Sequence, residues 1–165
     1  MTLDELNGLD KPALRKALGG CCGSRIWVEK MAAVFPVLSV HDLLGHAGKT
    51  WHACSEEDWK EAFGHHPRIG DLETLKTKYT GTGASMEQAG AVNASMVMLE
   101  ALLEGNRVYE EKFGYIFIVC ATGKSAEEML GLLRERLGND PGKEIHVAMA
   151  EQEKITRVRL EKLLS

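Results

Sequence analysis

Tyr115-Ile116-Phe117-Ile118-Val119-Cys120-Ala121 is the one run in this chain that reads as a strand. Its unbroken apolar and aromatic character predicts complete burial. A strand needs a partner, however, and no second run in the chain has the residue pattern of one. The segment therefore reads as an extended buried connector, whose backbone groups must bond to other parts of the protein or to a ligand. With no sheet to build, the chain reads as an all-α, single-domain bundle of about seven to nine helices.

Helical signals lie on both sides of the connector. Upstream, Ser85-Met86-Glu87-Gln88 fits a capping box, and Ala91, Met96, Leu99, Leu102 and Leu103 carry a long helix to about Phe113, with Gly105 inside it marking a place for a bend. Downstream, Gly123-Lys124-Ser125 is too far from any preceding glycine of the right spacing to form a phosphate loop, since Ile118 stands where that glycine belongs. Ser125 instead caps a helix through Leu137 with Met129, Leu132, Leu133 and Leu137 inward, and a last helix follows from about Gly142 to Leu164. Toward the N-terminus, Thr2 to Leu9 is a short amphipathic piece. Asp10 and Pro12 open a helix that Gly19-Gly20 closes, and Ser24 opens one that Pro36 stops, with Ile26, Trp27, Met31, Val34 and Phe35 at helical spacing. Ser39 starts a helix to about Ala53, and Ser55-Glu56-Glu57-Asp58 starts another that presents Trp59, Ala62 and Phe63. Asp71 caps a short helix over Leu72 to Lys78.

At 165 residues, the chain is long enough to bury a core without metal or disulfide staples. Hydrophobic residues make up 44% and charged residues 27%, and a net charge of -4 with scattered Lys and Arg argues against a nucleic-acid surface. The cysteines Cys21, Cys22, Cys54 and Cys120 lack CxxC spacing and follow no secretory signal, so the expectation is a reduced, cytoplasmic setting with no cysteine nucleophile. No apolar stretch approaches the roughly 20 residues that span a bilayer. His41, His46 and His52 share a predicted helix, but none are four apart, so they read as surface histidines rather than metal ligands.

The titratable groups concentrate in Phe63-Gly64-His65-His66-Pro67-Arg68-Ile69-Gly70-Asp71. Proline biases the residue before it away from helical angles, which holds His66 on a kinked loop, where catalytic groups commonly sit. Glu87, at a helix start, is kept ionised by the helix dipole and would favour the imidazolium form of a nearby histidine. The amides of Ala84 to Gln88 offer unpaired donors to an anionic or carbonyl-rich small molecule, and Gln88 offers a donor and an acceptor to an amide or urea group. Arg157 and Arg159 are two apart and cannot share a helix face, so at most one points into a given pocket. The structural alternatives are solvated histidines at a helix stop, an ordinary helix start and surface ion pairs.

His66-Pro67-Arg68-Ile69-Gly70-Asp71, Glu87-Gln88-Ala89-Gly90, Phe113 through Ala121 and Ile155-Thr156-Arg157-Val158-Arg159-Leu160 together resemble one family, in order and across nearly the whole chain. It is the 2-oxo-4-hydroxy-4-carboxy-5-ureidoimidazoline (OHCU) decarboxylase family of uric acid degradation. The resemblance implies a single domain over 1–165 and a homodimeric enzyme without a cofactor, acting on a small-molecule substrate. That enzyme converts OHCU to (S)-allantoin and carbon dioxide. It also implies that His66 is the catalytic acid with Glu87 beside it. Substrate contacts come from Pro67, from Ala84, Ser85, Met86, Glu87 and Gln88, from Phe117, Ile118, Val119, Cys120 and Ala121, and from Arg159. Many members carry a hydroxyl residue three places before the glutamate, where this chain has Ala84, with Ser85 one place later.

The chemistry suits these residue types. In OHCU the carboxylate-bearing carbon adjoins a C=N bond, so the electrons released with carbon dioxide flow onto nitrogen and the substrate carries its own electron sink, the role a cofactor otherwise plays. Protonation of one face of the ureido-bearing carbon then sets the (S) configuration. A different class of reading is a helical module that binds ureido or purine-derived metabolites without turning them over. A third is an adaptor bundle in which the histidine loop merely ends a helix.

Overall fold

A computed structural model describes residues 1–67 and 89–165. Eight helices and no strand occur among the described residues: α1 (Leu3–Asn7), α2 (Lys11–Gly19), α3 (Arg25–Val34), α4 (Val40–His52), α5 (Glu56–Gly64), α6 (Ala89–Phe113), α7 (Ala126–Leu137) and α8 (Pro141–Leu163). The all-α expectation holds. The expected helix over Leu72 to Lys78 and the capping box at Ser85 lie outside the described residues.

Short-range chemistry sets the helix starts. Asp10, Ser24, Ser39, Ser55 and Ser125 each accept a hydrogen bond from the amide three residues on, which satisfies a donor that has no partner inside the helix. At Ser55 the Asp58 carboxylate reaches back to the capping amide, and Thr2 and Glu5 close the same reciprocal pair on α1.

The chain divides into two compact units, one comprising Met1–His66, Ile118–Cys120 and Ile145–Ser165, the other Pro67–Phe117 and Ala121–Glu144. In the first, α3 packs against α2, α4 and α5. Its core is tryptophan-rich, and each indole N–H is satisfied by a backbone carbonyl. Trp27 donates to Ala47 at 3.1 Å, Trp51 to Met149 at 2.9 Å and Trp59 to Trp51 at 3.0 Å. These bonds let large rings be buried without leaving their polar atom unpaired. The Asn7 side chain exchanges two hydrogen bonds with the Val37 backbone, beside the cis Phe35–Pro36 peptide. On α3 the inward residues are Trp27, Val28 and Met31, whereas Ile26, expected on the core side, is exposed.

In the second unit α6 packs against α7. Gly105, which the sequence marks for a bend, is where the two helices approach most tightly: a β-carbon there would stand 2.5 Å from Leu133 Cδ2. The buried residues of α7 are Met129, Leu130, Leu133 and Arg136, while Leu132 and Leu137, expected inward, are half-buried. Arg136 takes a core position because Glu144 meets it there. Its guanidinium lies 2.6 Å from the Glu144 carboxylate, and that carboxylate also accepts from the Tyr109 hydroxyl at 2.6 Å and from Asn139 at 2.9 Å. The Arg136 guanidinium also stacks over the Phe117 ring at 4.4 Å. Burial, and after it the hydrogen bond to Glu144, pushes the Tyr109 phenol well above its usual range, so it stays a donor.

The connector has no helix or strand, as expected, but its burial is incomplete. Phe117, Ile118 and Cys120 are buried, whereas Tyr115, Ile116, Val119 and Ala121 are half-buried. Gly114, at a φ of +82°, turns the chain out of α6 into it.

Candidate functional site

The histidine loop leaves α5 through two turns. The His65 amide donates to Ala62 and the His66 amide to Phe63, each at 3.2 Å, which uses the last carbonyls of the helix. Pro67 then blocks any continuation. His66 is half-buried and Pro67 exposed.

The His66 ring is held by α8. Its Nε2 lies 2.5 Å from Oε1 of Gln152, a fully buried side chain. The Gln152 amide nitrogen donates in turn to the Thr156 hydroxyl at 3.1 Å, and Thr156 hydrogen-bonds the Cys22 thiol. A chain of polar groups thus runs from His66 into the core of the first unit, where each member is satisfied by the next.

Arg159 follows Thr156 on the same face of α8, roughly 10 Å along the axis from Gln152 at 1.5 Å per residue. It is half-buried and reaches the Cys21 carbonyl at 3.5 Å, whereas Arg157 is exposed and pairs with Glu161 at 3.2 Å. The two arginines thus take different partners on different faces of α8, in keeping with the expectation that at most one of them points into a given pocket. Burial pushes the Cys21 and Cys22 thiols up to about 11, which keeps both protonated near neutral pH, against a smaller opposing pull on Cys21 from Arg159.

The connector enters the first unit at Ile118–Cys120. There the Cys120 amide donates to the Glu151 carboxylate at 3.2 Å, and Lys154 pairs with the other oxygen of Glu151. Of the expected substrate-binding groups, this amide is already occupied by a side chain. Phe117 is held in the second unit under Arg136. Ala84, Ser85, Met86, Glu87 and Gln88 lie outside the described residues.

Sequence reasoning passed over Gln152, Thr156 and Glu151. A signal existed in the spacing, because Gln152 and Thr156 fall on the stripe of α8 that carries Ala148, Met149 and Leu160. Polar residues on a buried stripe need partners, and these have them.

His65 also has a structural part. A β-carbon on Gly23 would stand 2.6 Å from His65 Cβ and 2.8 Å from Cδ2. The contact at Cβ cannot be relieved by rotating the ring, so only glycine fits between the start of α3 and the histidine loop. Gly23→Ala is expected to destabilise the protein by about 1–3 kcal/mol, the usual cost of overpacking. In a thermal melt that appears as a fall in Tm of roughly 2–12 °C at this chain length.

Among the described residues no group of three or more His, Cys, Asp or Glu side chains is arranged to hold a metal ion, and no helix is long and apolar enough to cross a membrane.

A helical unit that pins one histidine through a buried amide, beside an inward arginine and protonated thiols, has the parts for proton transfer on a small molecule. The chain belongs to the OHCU decarboxylase family, whose profile matches residues 7–161. It is 35% identical over 147 residues to the uric acid degradation bifunctional protein TTL of Arabidopsis thaliana, covering 88% of this chain and 45% of that protein. It is 28% identical to the uric acid degradation bifunctional protein PucL of Bacillus subtilis (strain 168), covering 99% of this chain and 33% of that one. The chain thus spans less than half the length of these two relatives. A crystal structure of OHCU decarboxylase in the presence of (S)-allantoin superposes with a TM-score of 0.71 at 34% identity, covering 88% of this chain and 95% of that one.

Proposed function

We propose that this chain decarboxylates OHCU to (S)-allantoin and carbon dioxide, acting as one domain over 1–165, in the cytoplasm and as a homodimer. Membership of the family supports the reaction. The observation that carries the residue assignment is the 2.5 Å contact between His66 Nε2 and the buried Gln152, which orients a titratable ring of the matched motif. In this reading protonated His66 is the general acid. Glu87 orients it or accepts the proton of the substrate hydroxyl. Gln88 and the connector backbone hold the ureido and ring carbonyls, and Arg159 orients an anionic group. The substrate supplies its own electron sink, so the protein's task is orientation and delivery of a proton to one face.

The test is stereochemical. Freshly generated OHCU decays spontaneously to racemic allantoin, which has no circular dichroism. With the protein present, a dichroic signal of the (S) enantiomer is expected to grow faster than the spontaneous decay. Binding of OHCU with decay at the uncatalysed rate to racemate would reduce the protein to a metabolite-binding module.

A further inference from the structure

The polar chain behind His66 has a direction, and the direction bears on which ring nitrogen does the chemistry. Gln152 presents one donor end and one acceptor end, and its amide nitrogen is committed to the Thr156 hydroxyl at 3.1 Å. Thr156 is in turn hydrogen-bonded to the Cys22 side chain. The Gln152 carbonyl oxygen is therefore the end that faces His66, at 2.5 Å from Nε2. A carbonyl accepts and does not donate, so Nε2 must carry a proton. Full burial of Gln152 removes water as an alternative partner and makes the opposite arrangement, two lone pairs facing each other, costly.

We propose that Gln152 is a positioning residue that holds His66 with Nε2 protonated throughout the cycle, so that Nδ1 is the nitrogen that gives up and regains the catalytic proton. The assignment rests on the decarboxylase reading for its catalytic half. As the imidazolium donates, the Nδ1–H bond breaks, its electron pair stays on Nδ1, and the proton forms the new bond to the ureido-bearing carbon of the intermediate. The ring that remains is the neutral Nε2–H imidazole. Gln152 accepts from Nε2–H in both states, so the ring is not released or turned when its charge changes. A charged carboxylate in the same place would instead favour the imidazolium and hold the proton back. A neutral amide orients the ring while biasing its charge little.

The prediction is read by nuclear magnetic resonance on the intact protein labelled with ¹⁵N-histidine, with the His66 signals assigned by their loss in His66→Gln. A slowly exchanging downfield Nε2–H proton is expected in the unmutated protein. Gln152→Met, similar in size but without the carbonyl, is expected to lose that protected proton and to lower kcat about tenfold with little change in KM, the cost of roughly one uncharged hydrogen bond. Gln152→Glu keeps an acceptor and is expected to restore the protected Nε2–H signal. A protected proton on Nδ1 in the unmutated protein, or a Gln152→Met variant with both the signal and kcat unchanged, would overturn the proposal. The spectrum needs no substrate and the unmutated protein suffices for the tautomer. A failed Gln152 assignment is thus distinguishable from a failed decarboxylase reading, and an unstable variant does not remove the test.

Discussion

His66→Gln is expected to lower the rate of stereospecific allantoin formation by about 10²- to 10⁴-fold, the range that a positioned general acid contributes. Glutamine is the informative replacement, because its amide nitrogen mimics Nε2 and can still donate to the Gln152 carbonyl that lies 2.5 Å from the ring. The fold is then conserved, with thermal stability changed by no more than about 1 kcal/mol, the worth of one hydrogen bond. What is lost is the imidazole, which can both give up and take back a proton. His66→Ala removes the donor as well and strands the buried Gln152 oxygen, so it should lose stability in addition to rate. The pair therefore separates chemistry from architecture. If His66→Gln retained near-native rates with (S) selectivity, the catalytic acid would have to be another group.

The outline of the fold was legible because its determinants are local. A serine or aspartate three residues from the amide it caps can be read in a window of four, and the five caps named from the sequence that fall on described residues, Asp10, Ser24, Ser39, Ser55 and Ser125, are formed. The connector was legible by exclusion, since one apolar run without a β partner cannot make a sheet. Contacts across long stretches of chain were not legible. Gln152 lies 86 residues from His66, and periodicity alone places it among apolar neighbours without naming what it meets. His65 reads in the sequence as a neighbour without a role, because the close approach of Gly23 to it is visible only once α3 and α5 are packed. The same limit hid Arg136. A charged residue next to Leu137 at a helix end reads as a solvated favourable charge, and only the return of Glu144 makes it a core residue.

That buried pair gives the largest expected effect on stability. Arg136→Met keeps the length and apolar stem of the side chain but removes the cation 2.6 Å from a fully buried Glu144 carboxylate. Tyr109 and Asn139 still donate to that carboxylate, at 2.6 Å and 2.9 Å, so its hydrogen-bonding capacity is met but its charge is not. Removing one partner of a buried ion pair costs about 3–5 kcal/mol. Thermal unfolding followed by circular dichroism should then show a fall in Tm of roughly 6–20 °C. Arg157→Ala, which breaks an exposed pair with Glu161, is the matched control and should change stability by no more than about 0.5 kcal/mol. Equal, small effects at both positions would mean that the Arg136–Glu144 pair is solvated in solution and does not hold α7 to the start of α8.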